Sequence, residues 1–184
     1  MTRIGVLLVS YGSRGACIAE CLKQSMEYGV RLYVADKQRN PHNVELAEEH
    51  CVIPDLNIQK ITELALKHCY KIDFGVVGPE DPIINGIRDE IEARTKIPMI
   101  CPTKQFALEG SKVRQRLLLQ EVAPEVNPRF KIFDPREYSS EDDVRKELFS
   151  WLDELENNVA VKPDTPATGK GVGVWGDHFT TRDE

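Results

Sequence analysis

The stretch Arg3-Ile4-Gly5-Val6-Leu7-Leu8-Val9-Ser10, followed by Tyr11-Gly12-Ser13-Arg14-Gly15, decides the fold. A near-continuous apolar run of this length is what a parallel strand buried on both faces requires, because neither face can be left to water. The glycine-bearing turn then opens a helix over residues 16–28, with Ile18, Ala19, Leu22 and Met26 recurring at helical spacing. Val30-Arg31-Leu32-Tyr33-Val34-Ala35 reads as a second strand ending at Asp36. Together these form a βαβ unit whose glycine turn sits at a helix N-terminus, where backbone amides and the helix dipole favour an anion. A dinucleotide site does not follow. Counting from Gly12, the third position is Arg14 and Gly15 comes one residue late for a G-x-G-x-x-G fingerprint, so Asp36 is read as a strand-end or turn residue.

Working outward, the same alternation continues. A short helix is expected over residues 44–50 and a short strand at Cys51-Val52-Ile53. Next comes an amphipathic helix over 57–69, with Asn57 as N-cap and Ile58, Ile61, Leu64, Ala65 and Cys69 on one face. Phe74-Gly75-Val76-Val77 is the next strand, and it runs into Gly78-Pro79-Glu80-Asp81-Pro82. That places a carboxylate at the carboxyl edge of a parallel sheet, where open α/β sheets bind ligands. Glu80 has two readings, substrate contact or stabilisation of the following helix start. A helix over 83–94 and a strand at Met99-Ile100-Cys101 complete a doubly wound, Rossmann-like α/β domain over residues 1–103.

Residues 104–184 read differently. A helical pattern covers 104–119 and contains Leu108-Glu109-Gly110-Ser111-Lys112; a strand is expected at 130–133 and an acidic amphipathic helix over 140–156. Val159-Ala160-Val161-Lys162 and Val172-Gly173-Val174-Trp175 are two β-branched runs joined by a loop carrying Gly169-Lys170-Gly171. Glycines admit backbone N–H groups close to an anion and lysines add point charges, which suits a phosphate flap. The bland reading is a Gly/Pro-rich hairpin with solvated lysines, and Lys112 could equally be a solvent-facing helix lysine. Trp175 is expected to pack the hairpin.

Composition narrows the class. The 184 residues are 41% apolar and 29% charged with a net charge of -6, which suits an ordinary domain and argues against a general nucleic-acid or membrane surface. No apolar run reaches the length of a membrane span, and the chain enters a strand at once with no signal peptide, so a cytoplasmic protein is expected. The five cysteines, at 17, 21, 51, 69 and 101, form no zinc pattern and are read as reduced, mostly buried thiols.

In order and spacing, four stretches resemble the N-terminal part of the phosphoribosylamine–glycine ligases of the ATP-grasp superfamily, archaeal type in particular. They are Val6 through Arg14, Val76 through Pro82, Pro102-Thr103 with Leu108 through Lys112, and Val161-Lys162-Pro163 with Gly169-Lys170-Gly171-Val172. The resemblance implies a pre-ATP-grasp substrate-binding domain, residues 1–103, followed by the start of an ATP-grasp domain, residues 104–184. It implies that Gly12, Ser13, Arg14, Gly78, Pro79 and Glu80 face phosphoribosylamine. It also implies that Lys112, Lys162, Gly169, Lys170 and Gly171 serve the phosphates of ATP. The family joins glycine to phosphoribosylamine with ATP and Mg²⁺ (or Mn²⁺) in purine biosynthesis, through a glycyl phosphate.

Two departures stand out. The family's first loop continues Arg-Glu-His where this chain has Arg14-Gly15-Ala16, and the family is more than twice as long, its metal-binding carboxylate and Asn lying in the part beyond. No catalytic or metal residue is therefore assigned to these residues, and the segment alone is expected to be inactive. Two alternatives stay open. One is a phosphoribosyl-binding module or half of a split enzyme whose C-terminal half is a separate chain; the other is a sister ATP-grasp ligase with a different acceptor.

Overall fold

The computed structural model describes residues 1–166 and 171–183, and they cluster into two compact units, Met1–Leu108 and Glu109–Glu184.

In the first unit, β1 (Thr2–Ser10) is the central strand. It pairs in parallel with β2 (Tyr28–Asp36) on one side and β4 (Phe74–Val77) on the other. β3 (Ala47–Val52) and β5 (Met99–Ile100) flank them, giving the order β3-β2-β1-β4-β5. Val6 through Val9 are fully buried, as a strand covered on both faces demands. Their alternation divides the core into two layers. Leu7 and Val9 pack with Ile61, Leu64 and Ala65 of α3 (Ile58–Lys67) and with Ile87 and Ile91 of α5 (Ile87–Thr95). Val6 and Leu8 pack with Ala19, Ile18 and Leu22 of α1 (Gly12–Lys23) and with Leu46 of α2 (Pro41–Leu46). Helices on both faces of a parallel sheet make the fold doubly wound, and each fully buried aliphatic side chain in it contributes about 1.5–3 kcal/mol.

Local chemistry sets the helix starts. Asn40 caps α2 by accepting from His42 N at 3.1 Å, with Pro41 at the first helical position, and Asn57 caps α3 by accepting from Lys60 N at 3.2 Å. Several boundaries differ from the sequence reading. The helix expected over 44–50 is α2 ending at Leu46, and Ala47–Val52 is strand instead of 51–53. The reason is tertiary: this polar segment (Glu48, Glu49, His50) is the outer edge of the sheet, where pairing with β2 outweighs local helix preference and charge protects the edge. The helix expected over 83–94 is two, α4 (Glu80–Ile84) and α5, because Gly86 adopts φ +90° between them. The first helix runs Gly12–Lys23, starting and ending earlier than expected.

The pattern at 104–119 resolves into two 3₁₀ turns, Lys104–Phe106 in the first unit and Leu108–Gly110 at the boundary, and then, in the second unit, α6 (Lys112–Val122), capped by Ser111, whose Oγ accepts from Arg114 N at 3.0 Å. Residues 130–133 are not a strand. Instead of joining a ladder, Lys131 pairs with Glu147 at 2.6 Å and lies 5.9 Å from the Trp151 ring, tying the segment to α7 (Glu141–Glu154). The expected β-branched runs form a two-stranded antiparallel ribbon, β6 (Ala160–Val161) with β7 (Gly173–Val174). Trp175 packs edge-on against Phe179 at 5.5 Å, so it covers the ribbon as expected. The thiols are more open than expected: Cys17 and Cys21 are exposed and the other three partly so, because 17 and 21 lie on the outer face of α1.

Candidate functional site

The carboxyl ends of β1 and β4 lie side by side, and each feeds a motif loop. Val9 pairs with Val77, and Gly78 N donates to Val9 O at 2.9 Å, so the turn after β4 is fastened to the end of β1. From the other side, Arg14 in the first turn of α1 reaches across: its Nη1 donates to Gly78 O at 2.8 Å and stands 3.8 Å from Glu80 Oε2. Gly12, Ser13, Arg14, Gly78, Pro79 and Glu80, separated by more than sixty positions in the chain, are thus one cluster at the ligand-binding edge of the sheet. Gly12 takes φ +64° as the chain turns into α1, and Ser13 and Arg14 are exposed while Pro79 is buried. Glu80 opens α4, so it occupies a helix start and also faces Arg14. Beside the cluster Lys37 Nζ stands 4.8 Å over the ring of Tyr11.

Beneath the loop lies a polar group that sequence reasoning did not assemble. Ser10, Asp36 and Asn43 are completely buried. Asn43 Nδ2 donates to Ser10 Oγ at 3.0 Å and to Asp36 Oδ2 at 2.8 Å, and His50 Nε2 lies 3.5 Å from the same Asp36 oxygen. Asp36 is therefore more than a strand-end residue. The signal available in the sequence was the Asn40-Pro41 cap, which fixes α2 and with it the direction of Asn43.

The second unit brings another pair of motifs together. Asp164, two residues after Lys162, accepts from Ser111 Oγ at 2.7 Å and from Val113 N at 2.9 Å through Oδ1. Its carbonyl accepts from Lys112 N at 3.0 Å, and Lys112 Nζ donates to Thr165 O at 2.8 Å. The N–H of Val113, then the Ser111 hydroxyl, hold the Asp164 carboxyl below the usual carboxylate range. So the Glu-Gly-Ser-Lys turn and the segment after β6 are clamped together, with Lys112 half-buried and Lys162 exposed. Gly171 is exposed at φ +108°, whereas Gly169 and Lys170 lie outside the described residues. Among the described residues no group of three or more His, Cys, Asp or Glu side chains is placed to hold a metal ion, and no helix is long and apolar enough to cross a membrane.

The chain is similar to known proteins along nearly its whole length. The profile of the phosphoribosylglycinamide synthetase N domain matches residues 4–109. The phosphoribosylamine–glycine ligase of Pyrococcus furiosus is 33% identical over 182 residues, covering 98% of this chain and 38% of that protein. The Methanopyrus kandleri enzyme of the same name is 35% identical over 180 residues, covering 97% and 37%. This chain therefore spans little more than a third of the length of these relatives. Among solved structures, an ADP complex of N5-carboxyaminoimidazole ribonucleotide synthetase superposes with a TM-score of 0.66 at 15% identity, covering 95% of this chain and 41% of that one. The biotin carboxylase domain of Hydrogenobacter thermophilus 2-oxoglutarate carboxylase, with MgADP, gives 0.65 at 19% identity over 92% and 37%. At such identities the structures speak for the fold alone. With the profile covering more than half of the chain and the motif loops joined at the sheet edge, the chain belongs to the phosphoribosylglycinamide synthetase N-domain family.

Proposed function

We propose that this chain is the N-terminal portion of a phosphoribosylamine–glycine ligase, which joins glycine to 5-phosphoribosylamine with ATP in cytoplasmic purine synthesis. The observation that carries the reading is the contact of Arg14 with Gly78 and Glu80, which turns two distant motifs into one edge where the Arg14 guanidinium stands beside loop amides, suited to a phosphorylated sugar. In this reading residues 1–103 receive phosphoribosylamine: the amides of Gly12 and Ser13 and the Arg14 guanidinium hold its phosphate, and Glu80 orients Arg14.

Residues 104–184 begin the ATP site. Lys112 and Lys162 supply positive charge to the phosphate chain, with Gly169, Lys170 and Gly171 as the covering flap. Lys112 fits that role because its ammonium is held in place by the Thr165 carbonyl, so little side-chain freedom is lost on meeting a phosphate. Bound ATP supplies the phosphoryl group that activates the glycine carboxylate. The described residues do not fit a Mg²⁺ or Mn²⁺ site, so no step is routed through a metal.

Calorimetric titration with ribose 5-phosphate tests the reading. Saturable binding is expected, weakened roughly tenfold or more by Arg14→Ala, the range that loss of a charged hydrogen bond produces. Stability should barely move, because the Arg14 side chain is 69% exposed. Binding that ignores Arg14→Ala, or no binding by the wild type, overturns it.

A further inference from the structure

The departure at Gly15 has a physical partner. A Cβ at position 15 would lie 1.9 Å from Ser10 Oγ and 2.8 Å from Ser10 Cβ, so the first turn of α1 rests directly on the last side chain of β1. Only a residue without a Cβ fits while Ser10 carries its hydroxyl. That hydroxyl is itself held: it accepts from Asn43 Nδ2, which also donates to Asp36 Oδ2 at the end of β2, with His50 of β3 on the far side at 3.5 Å. The ends of β1 and β2 are therefore joined through one buried polar chain, with the His50 side chain of β3 beside it. The backbone repeats the tie, with Lys37 N donating to Ser10 O at 3.2 Å and Ile53 N to Asp36 O at 2.8 Å. Arg14 is the neighbour of Gly15, and its reach to Gly78 O depends on how deep α1 sits on Ser10.

We infer that Ser10 and Gly15 are a matched pair that seats the first turn of α1 and so aims Arg14, with Asn43 and Asp36 fixing the Ser10 hydroxyl from below. All four are positioning residues for the phosphate-bearing ligand; none touches it. The Gly15 departure is thus compensated at Ser10, and the buried chain takes over the ordering of the loop. This inference rests on the ribose-phosphate reading of the edge, so its test carries a readout that needs no ligand.

The test is a cycle of Gly15→Ala, Ser10→Gly and the double variant, each scored by ribose 5-phosphate affinity and by the NMR shifts of the Gly78 carbonyl carbon and the Arg14 Nε–H. Gly15→Ala should lift α1, displace both signals and weaken binding roughly tenfold or more, the scale of a lost charged hydrogen bond. Ser10→Gly should leave the turn unseated and shift the signals too. The double variant puts the alanine methyl where the hydroxyl was, against Ser10 Cα at 3.1 Å, and should return both signals and most of the affinity. Asn43→Ala should reproduce the Ser10→Gly shift. If Gly15→Ala does not fold, the double variant should regain the fold and the signals. Additive losses in the double variant, or Arg14 and Gly78 signals that ignore all substitutions, overturn the inference. If wild type fails to bind ribose 5-phosphate while the two signals still move and recover, the positioning stands and the ligand reading alone falls.

Discussion

Removing the charge of Glu49 should weaken the first unit in a way that depends on pH. Glu49 sits on β3 with Oε1 and Oε2 at 2.7 and 2.8 Å from Lys67 Nζ, and with Oε2 2.8 Å from His68 Nε2. These contacts, the Lys67 hydrogen bond foremost, draw its carboxyl from an ordinary 4.5 to about 2. Taken at face value, that shift corresponds to about 3 kcal/mol of stability. Solvent reduces it: the Glu49 side chain is 27% exposed and that of Lys67 61%, so about 1–2 kcal/mol is expected. Because the folded-state pKa is depressed, the contribution is full above pH 4.5 and fades as pH falls from 4.5 towards 2. Glu49→Gln keeps the shape and removes the charge. Urea unfolding followed by circular dichroism, with hydrogen exchange of the β2 amides assigning the change to this unit, should therefore show wild type ahead by about 1–2 kcal/mol at pH 7. The gap should mostly close by pH 3. An equal gap at both pH values would refute the reasoning, because the loss would then be one of shape and not of charge.

Gly5→Ala should cost about 2–4 kcal/mol in urea unfolding, since its Cβ would lie 1.7 Å from the rigid Lys71 carbonyl oxygen; a loss below 1 kcal/mol would mean the loop over β1 yields freely. Asp164→Ala should speed amide exchange at Val113 and lower the second unit's stability by about 1 kcal/mol at neutral pH, less as pH falls through the carboxylate range; unchanged Val113 exchange would refute the clamp. With iodoacetamide near pH 8, Cys17 should react ahead of Cys21, whose thiol is pushed up chiefly by its hydrogen bond with Cys17. Cys101, pushed up to about 11 by burial, should react last, and mass spectrometry of the adducts decides the order.

The first unit was largely legible because its strands carry their own signal. Val6 through Val9 can only be a two-sided core strand, and a strand that runs into Gly78-Pro79-Glu80 must deliver that motif to the sheet edge. What escaped depends on partners distant in sequence. Asn43 and His50 look like surface residues one by one, and become buried only because β1, β2 and β3 end together. Residues 47–50 carry no strand pattern, since an edge strand is shaped by the neighbour it pairs with. Phe130 and Phe133 flank an apolar-looking run whose lysine is claimed by α7, a competition no local pattern reveals. Gly15 looked like a missing carboxylate until the Ser10 hydroxyl was seen in its place.

The central place of β1 also orders the birth of the molecule. It is made before every strand it pairs with, yet its second partner begins at Phe74, and Gly5 waits for Asp73, 68 residues later, to receive its amide hydrogen bond. Until then a nascent chain can pair only β1, β2 and β3, with the backbone groups of β1 bared along an unpaired edge that invites other chains. Translation pauses or breaks before residue 74 should therefore yield aggregates, whereas an interruption after residue 108 releases the complete five-stranded sheet.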